Sequence, residues 1–181
     1  MSELVRRVAV FGTESTGKTM LAERLAAHFG EPWAPEFVRE YWERVGGKIG
    51  PADLDAIARG QLANEESAAA RARKVAFCDT ELLTCTLWND LLFPGACPAW
   101  VRDAAETRSR SYALYLLCDA DVPFAPDPQR SLPDAAAREK GRRRWRHALE
   151  SRGLLFVDIC GEWAVRERTA IAEVQEHLRR S

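Results

Sequence analysis

The sequence predicts an α/β fold, a three-layer sandwich around a five-stranded parallel sheet with a small helical lid. Three observations carry that prediction. Short apolar runs (Val8 to Phe11, Val75 to Cys78, Tyr112 to Cys118, Leu154 to Val157) alternate with stretches of helical periodicity, which is the pattern of βαβ units whose strands are covered on both faces. The first run leads directly into a glycine-bounded loop and then a helix. The third run is followed by a proline-rich polar segment and a basic helix, where the lid is expected, at about 123–152. With 181 residues the chain is expected to form one domain, 1–181.

Gly12-Thr13-Glu14-Ser15-Thr16-Gly17-Lys18-Thr19 fills every fixed position of G-x-x-x-x-G-K-[ST]. Gly12 and Gly17 allow the backbone to turn sharply, so that the N–H groups of Glu14, Ser15, Thr16 and their neighbours approach phosphate oxygens with no side chain between. Lys18 is placed to reach the β- and γ-phosphates, Thr19 can ligate Mg²⁺, and the following helix turns its positive end to the anion.

Met20 to Ala27 continues as that helix. Gly30-Glu31-Pro32 ends it, and Trp33-Ala34-Pro35 reads as a short second strand. From Glu36 the pattern is helical again, with Phe37, Tyr41 and Val45 on one face and a stop at Gly46-Gly47. Pro51 opens a longer helix that ends near Arg73. Lys74 to Asp79 is an apolar strand terminating in a carboxylate, the form of a Walker B element, and a parallel strand delivers Asp79 to the edge where the glycine loop lies. The competing reading makes Asp79 or Thr80 the N-cap of the next helix, which carries Leu82, Leu83, Leu87, Leu91 and Leu92. After a break at Pro94-Gly95 come a helix around Ala99 to Thr107 and a buried strand from Tyr112 to Cys118. The helix starting near Pro133-Asp134 carries Arg138, Lys140, Arg142, Arg143, Arg144 and Arg146, which as a charge run reads as a solvated face. Gly153 to Ile159 is the last strand, and a helix from Glu162 to about Leu178 packs back on the sheet.

The 26 basic and 27 acidic residues leave a formal charge of −1, so no global field favours nucleic acid or an anionic membrane as partner. No apolar run approaches the length of a membrane span, and the N-terminus lacks a signal-peptide core, so a cytoplasmic protein is expected. Cys78, Cys85, Cys97, Cys118 and Cys160 are an odd, widely spaced set and read as reduced core thiols.

Four pieces together resemble a known family: the loop with Glu14-Ser15 inside it, Glu36-Phe37-Val38-Arg39-Glu40, Phe77-Cys78-Asp79-Thr80, and Asp127-x-x-Arg130 in the lid. The chain resembles the nicotinamide riboside kinase domain of bacterial bifunctional proteins that also carry an adenylyltransferase domain. The resemblance implies a P-loop kinase-like sandwich that uses ATP and Mg²⁺ to phosphorylate the 5′-hydroxyl of nicotinamide riboside, giving nicotinamide mononucleotide, here as a stand-alone kinase. Its partner would be a small nucleoside rather than nucleic acid or membrane.

On that reading Lys18 and Mg²⁺ neutralise the transferring phosphate and Thr19 and Asp79 hold the metal. Glu36 is the first choice to bind and deprotonate the hydroxyl, with the roles of Glu36 and Asp79 exchangeable. Arg39 either binds substrate or pairs with a neighbouring glutamate. Arg130 is expected to close on the phosphates from the lid. Pro35 stands where an aromatic residue would stack on the base, which leaves Trp33, Trp42 and Trp88 as candidates. Two alternatives stay open, a kinase of another nucleoside or nucleotide and a non-kinase nucleotide switch. Against a GTPase switch, Cys118-Asp119-Ala120-Asp121 does not supply a guanine-reading N-K-x-D element.

Overall fold

The computed structural model describes residues 5–121, 132 and 134–180. The strands are β1 (Arg6–Phe11), β2 (Trp33–Ala34), β3 (Val75–Asp79), β4 (Leu114–Cys118) and β5 (Phe156–Ile159). The helices are α1 (Lys18–Phe29), α2 (Phe37–Arg44), α3 (Leu54–Arg71), α4 (Leu82–Leu92), α5 (Ala99–Ser109), α6 (Ala135–Glu150) and α7 (Trp163–Arg179), with a single 3-10 turn at Pro51–Asp53 before α3. The sheet has five strands in the order β2-β3-β1-β4-β5, and every neighbouring pair is parallel.

Alternation along the strands builds the two faces. Val8 and Val10 of β1, Phe77 of β3 and Leu116 of β4 point to one side, where Leu21 and Leu25 of α1 and Val174 of α7 cover them. Ala9 and Phe11, Cys78, Tyr115 and Leu117 point to the other, under Leu83 of α4 and Trp145 and Leu149 of α6. This two-sided burial is why the strands read as continuous apolar runs rather than alternating ones. A third, smaller cluster joins Ala58 of α3, Leu82 of α4 and Val101 of α5 on the outside of the second face.

Strands β4 and β5 are shorter at their N-terminal ends than the apolar runs suggest, because each ladder begins only where a neighbour is available: Leu114 opposite Val8, and Phe156 opposite Tyr115. The chain crosses from β1 to the β3 side and returns to the β4 side, so the carboxyl end of β1 is a topological switch point, the place where open α/β sheets bind ligands.

One competing reading is decided and one expectation is corrected. Neither Asp79 nor Thr80 caps α4; Glu81 does, its carboxylate accepting from the Leu83 amide at 2.6 Å and the Thr84 amide at 3.0 Å. Cys78 and Cys118 are buried thiols, but Cys160 is exposed rather than part of the core. The charge run of α6 is the solvated face expected of it, and the other side of the helix is buried. Trp145 on it is fully buried, edge-on to Trp88, while its arginines pair outward: Arg142 with Asp119 at 2.8 Å, Arg144 with Asp90 at 3.8 Å, and Arg146 with Asp158. Gly141 lets this helix lie against the glycine loop, since a Cβ there would sit 2.8 Å from Thr13 Cγ2. Among the described residues no helix is long and apolar enough to cross a membrane.

Candidate active site

The loop after β1 has the conformation its glycines permit. Gly12 has φ +145°, and a Cβ on it would lie 2.8 Å from the Cys118 carbonyl oxygen, so a side chain fits neither the backbone angle nor the space. Gly17, at φ +79°, passes close under the Trp163 ring, and α1 starts at the next residue, Lys18. Ser15 also lies in the left-handed region at φ 60°, and its hydroxyl is buried with no hydrogen-bond partner. Inside the loop the Thr16 hydroxyl donates to the Thr13 carbonyl at 2.9 Å, and the Lys18 ammonium donates to the same carbonyl at 2.6 Å. The Glu14 carboxylate accepts from the Leu132 amide, tying the loop to the segment ahead of α6.

Strand pairing places the second half of the site. Val10 lies opposite Asp79, so β3 ends beside the start of the loop. The Thr19 hydroxyl donates to Asp79 Oδ2 at 2.5 Å. Asp79 is fully buried and its other oxygen, Oδ1, has no hydrogen-bond partner. Burial, and then the negative charge of Glu36, push its carboxyl up to about 7, against the opposing pull of Lys18, the Thr19 hydroxyl and Arg39. A buried carboxylate with one orphaned oxygen beside a threonine hydroxyl is a pair of hard oxygen donors that fits Mg²⁺. Among the described residues no group of three His, Cys, Asp or Glu is assembled for a metal. A two-donor site therefore has to be completed by phosphate and water oxygens, as Mg²⁺ sites in nucleotide-binding proteins commonly are.

Glu36 stands at the N-terminal end of α2 with extended backbone, and its side chain does not cap the helix. Its carboxylate accepts from Arg39 Nε at 3.3 Å, so the helix pairing weighed for Arg39 is present. Both residues line a cleft of about 310 Å³ that begins at Glu14 and Lys18 and runs between α2 and α4. Trp42 and Trp88 line its far part, whereas Trp33 packs into the core on the α1 side of the sheet. The structure thus brings Glu14, Lys18, Glu36 and Arg39 together around one opening, with Asp79 set behind it against Thr19. Arg130 and Asp127 lie outside the described residues.

Two residues that sequence reasoning passed over hold this arrangement. Gln61 of α3 is buried; its Oε1 accepts from the Phe37 amide at 3.0 Å, and its Nε2 donates to the Thr80 carbonyl and to Glu65 Oε1, both at 3.4 Å. One side chain therefore ties the residue after Glu36 to the residue after Asp79. Thr80 itself is in the left-handed region at φ 67°, a sparsely populated conformation for a β-branched residue and the kind of strain found at functional sites. Arg166 of α7 is buried behind the loop, donating to the carbonyls of Gly161 at 2.8 Å, Asp119 at 3.0 Å and Thr16 at 3.2 Å, and pairing with Asp121. A glutamine in an apolar helical stripe, and an arginine three residues after Trp163 and four before Ala170 on one helix face, were the available signals.

A family model described as AAA domain matches residues 7–166. The trifunctional NAD biosynthesis/regulator protein NadR of Escherichia coli (strain K12) is 30% identical over 159 residues, 86% of this chain and 38% of that protein. NadR of Salmonella typhimurium is 29% identical over the same shares. The chain spans well under half the length of these curated relatives. Among solved structures, NadR protein in complex with NR gives a TM-score of 0.74 at 21% identity, covering 97% of this chain and 52% of that one. Thymidylate kinase from Ehrlichia chaffeensis gives 0.64 at 11% identity, covering 96% and 100%. At such identities the solved structures speak to the fold, and the fold they share is that of P-loop kinases. The family match spans nearly the whole chain and includes the loop from Gly12 to Thr19, and this chain belongs to the AAA domain family of P-loop NTPases.

Proposed function

We propose that this chain is an ATP-dependent nucleoside kinase that phosphorylates the 5′-hydroxyl of nicotinamide riboside, giving nicotinamide mononucleotide. The observation that carries the proposal is a cleft in which the phosphate-binding loop, a carboxylate and two tryptophans meet. A nucleotide switch has no use for a second compartment lined by Glu36, Trp42 and Trp88; a kinase needs one for its acceptor. The relatives support the choice of acceptor, since one NadR structure holds NR and another holds NAD and AMP-PNP.

The roles follow from placement. Lys18, at the mouth of the cleft, donates to the β/γ-phosphate oxygens of ATP in place of the Thr13 carbonyl it now contacts. Thr19 and Asp79 hold Mg²⁺, which when bound supplies positive charge against the phosphate oxygens. Glu36 faces the cleft, and Asp79 is the carboxylate set back against Thr19. Glu36 therefore accepts the proton of the 5′-hydroxyl as that oxygen bonds to the γ-phosphorus and the bond from phosphorus to the ADP oxygen breaks. Arg39, paired with Glu36, orients that carboxylate. Trp42 and Trp88 take the flat base between aromatic surfaces. Arg130 brings a further cation from the segment before α6.

The test is a panel of nucleosides and nucleotides incubated with ATP and Mg²⁺, with products separated and weighed by mass spectrometry. Nicotinamide mononucleotide and ADP are expected. Phosphorylation of another nucleoside alone gives the rival kinase reading, and ADP with no phosphorylated acceptor gives the nucleotide switch.

A further inference from the structure

Beyond the reacting end, the cleft wall carries a polar group whose chemistry selects among acceptors. Asn89, on α4 one residue after Trp88, is buried and lines the cleft, as do Leu92, Phe93 and Ile49. Its amide nitrogen donates to Cys97 Sγ at 3.4 Å, and that thiol in turn reaches the Pro98 carbonyl oxygen at 3.8 Å. A thiol has one proton. With that proton directed at Pro98, the sulfur can only accept from Asn89, so the amide is held with its nitrogen toward Cys97 and its carbonyl oxygen is the atom left for the cleft. Turning the amide over would require the thiol proton to leave the Pro98 carbonyl for the amide oxygen.

Charge at this end points the same way. The two cations among the described lining residues both stand at the phosphate end, Lys18 in the loop and Arg39 against Glu36. Away from Glu14, Lys18, Glu36 and Arg39, the described lining is aromatic faces, aliphatic carbon and neutral polar groups, Asn89 among them with an acceptor oxygen. Such a wall rewards a base that offers an N–H donor and rejects one that offers an anion, because a carboxylate there would be desolvated against a carbonyl oxygen with no partner.

We infer that Asn89, oriented by Cys97, is a specificity-determining residue that accepts a hydrogen bond from the carboxamide of the base and excludes the carboxylate analogue. This inference rests on the nicotinamide riboside reading above and goes further: the enzyme takes the amide riboside and discriminates against nicotinic acid riboside. An unmade hydrogen bond to a buried group is typically worth about 1–3 kcal/mol, which sets the expected preference at roughly 10- to 100-fold in kcat/KM.

The test measures kcat/KM for nicotinamide riboside and nicotinic acid riboside in the wild type, Asn89→Leu, Asn89→Asp and Cys97→Val. The wild type is expected to prefer the amide by at least about 10-fold. Asn89→Leu removes the acceptor but not the cost of desolvating an anion, so the ratio should fall to about a fifth of the wild-type value or less without reversing. Asn89→Asp keeps an acceptor and adds a charge, so its ratio should exceed that of the wild type. Cys97→Val frees the amide to turn its nitrogen toward the cleft, and the ratio should fall although Asn89 is intact. A merely structural Cys97 would lower activity on both ribosides equally. Nicotinamide riboside turnover with the same ratio in Asn89→Leu as in the wild type would overturn the inference and leave the kinase reading standing. A wild type that phosphorylates neither riboside would remove both.

Discussion

Asp79→Asn should make the ligand-free protein more stable at neutral pH while abolishing its use of Mg²⁺. The ordinary aspartate value is 3.8, and burial together with the nearby Glu36 charge raises it to about 7 in the folded protein. The folded state therefore binds the proton more tightly than the unfolded chain, and stability is lost as pH rises from about 4 to about 7. A difference of about three pH units corresponds to about 4 kcal/mol, an upper bound because buried, charge-coupled sites relax. Asparagine is neutral at all these pH values, nearly isosteric, and still able to accept from the Thr19 hydroxyl. We expect the variant to match the wild type near pH 4 and to gain roughly 2–4 kcal/mol by pH 8. For a chain of this size that is a rise in melting temperature of about 5–10 °C. Glu81, raised to about 8 by burial, slopes stability in the same direction, but it is common to both proteins and drops out of the difference. Melting curves from pH 4 to 8 in EDTA, with activity measured over a Mg²⁺ titration, test this. An Asp79→Asn protein less stable than the wild type at pH 8, or a stability difference constant with pH, would refute the reasoning.

Lys18→Ala should abolish phosphoryl transfer with a melting temperature within about 2 °C of the wild type, because among the described residues its hydrogen bond is to a loop carbonyl; turnover near the wild-type rate in a steady-state assay contradicts this. Glu36→Gln should lower kcat by on the order of 10²-fold or more with the Mg²⁺ dependence unchanged; a shifted metal dependence in that variant would instead exchange the roles of Glu36 and Asp79. Gln61→Met conserves volume but unties Phe37 from Thr80, and we expect kcat to fall about tenfold or more with the KM for ATP little changed; equal loss in both parameters would make Gln61 a stability residue only. Arg130→Ala should cut kcat by roughly 100-fold or more with little change in melting temperature, and a loss under about threefold would leave it a solvated charge.

The contrast between Lys18 and Gln61 shows what the sequence could disclose. Every part of the phosphate loop lies within eight consecutive residues, and its chemistry is backbone geometry that glycine and position announce. Asp79 was legible because a parallel strand's last residue reaches the same sheet edge as the loop, and the register of Val10 with Asp79 is that expectation in coordinates. Gln61 and Arg166 act across separations of 19, 24 and 150 residues, onto backbone groups that have no side-chain signature. Asn89 is set by a thiol eight residues away across a loop whose path no periodicity specifies. The tryptophans were alike in sequence; only folding sends Trp42 and Trp88 to the cleft and Trp33 to the core. On α6 the six basic residues were legible as a solvated face, whereas Trp145 on the buried side is a single ring among charges and gave no signal of its own.

The central claim is that phosphate passes from ATP to the hydroxyl that Glu36 deprotonates. It is tested most directly by following ATP labelled with ¹⁸O in the γ-phosphate, in the presence of Mg²⁺ and nicotinamide riboside, by mass spectrometry and ³¹P NMR. The account predicts label in a 5′-phosphomonoester of nicotinamide riboside, formed one for one with ADP and lost in Glu36→Gln. Label released only as inorganic phosphate, or undiminished transfer in Glu36→Gln, would contradict it.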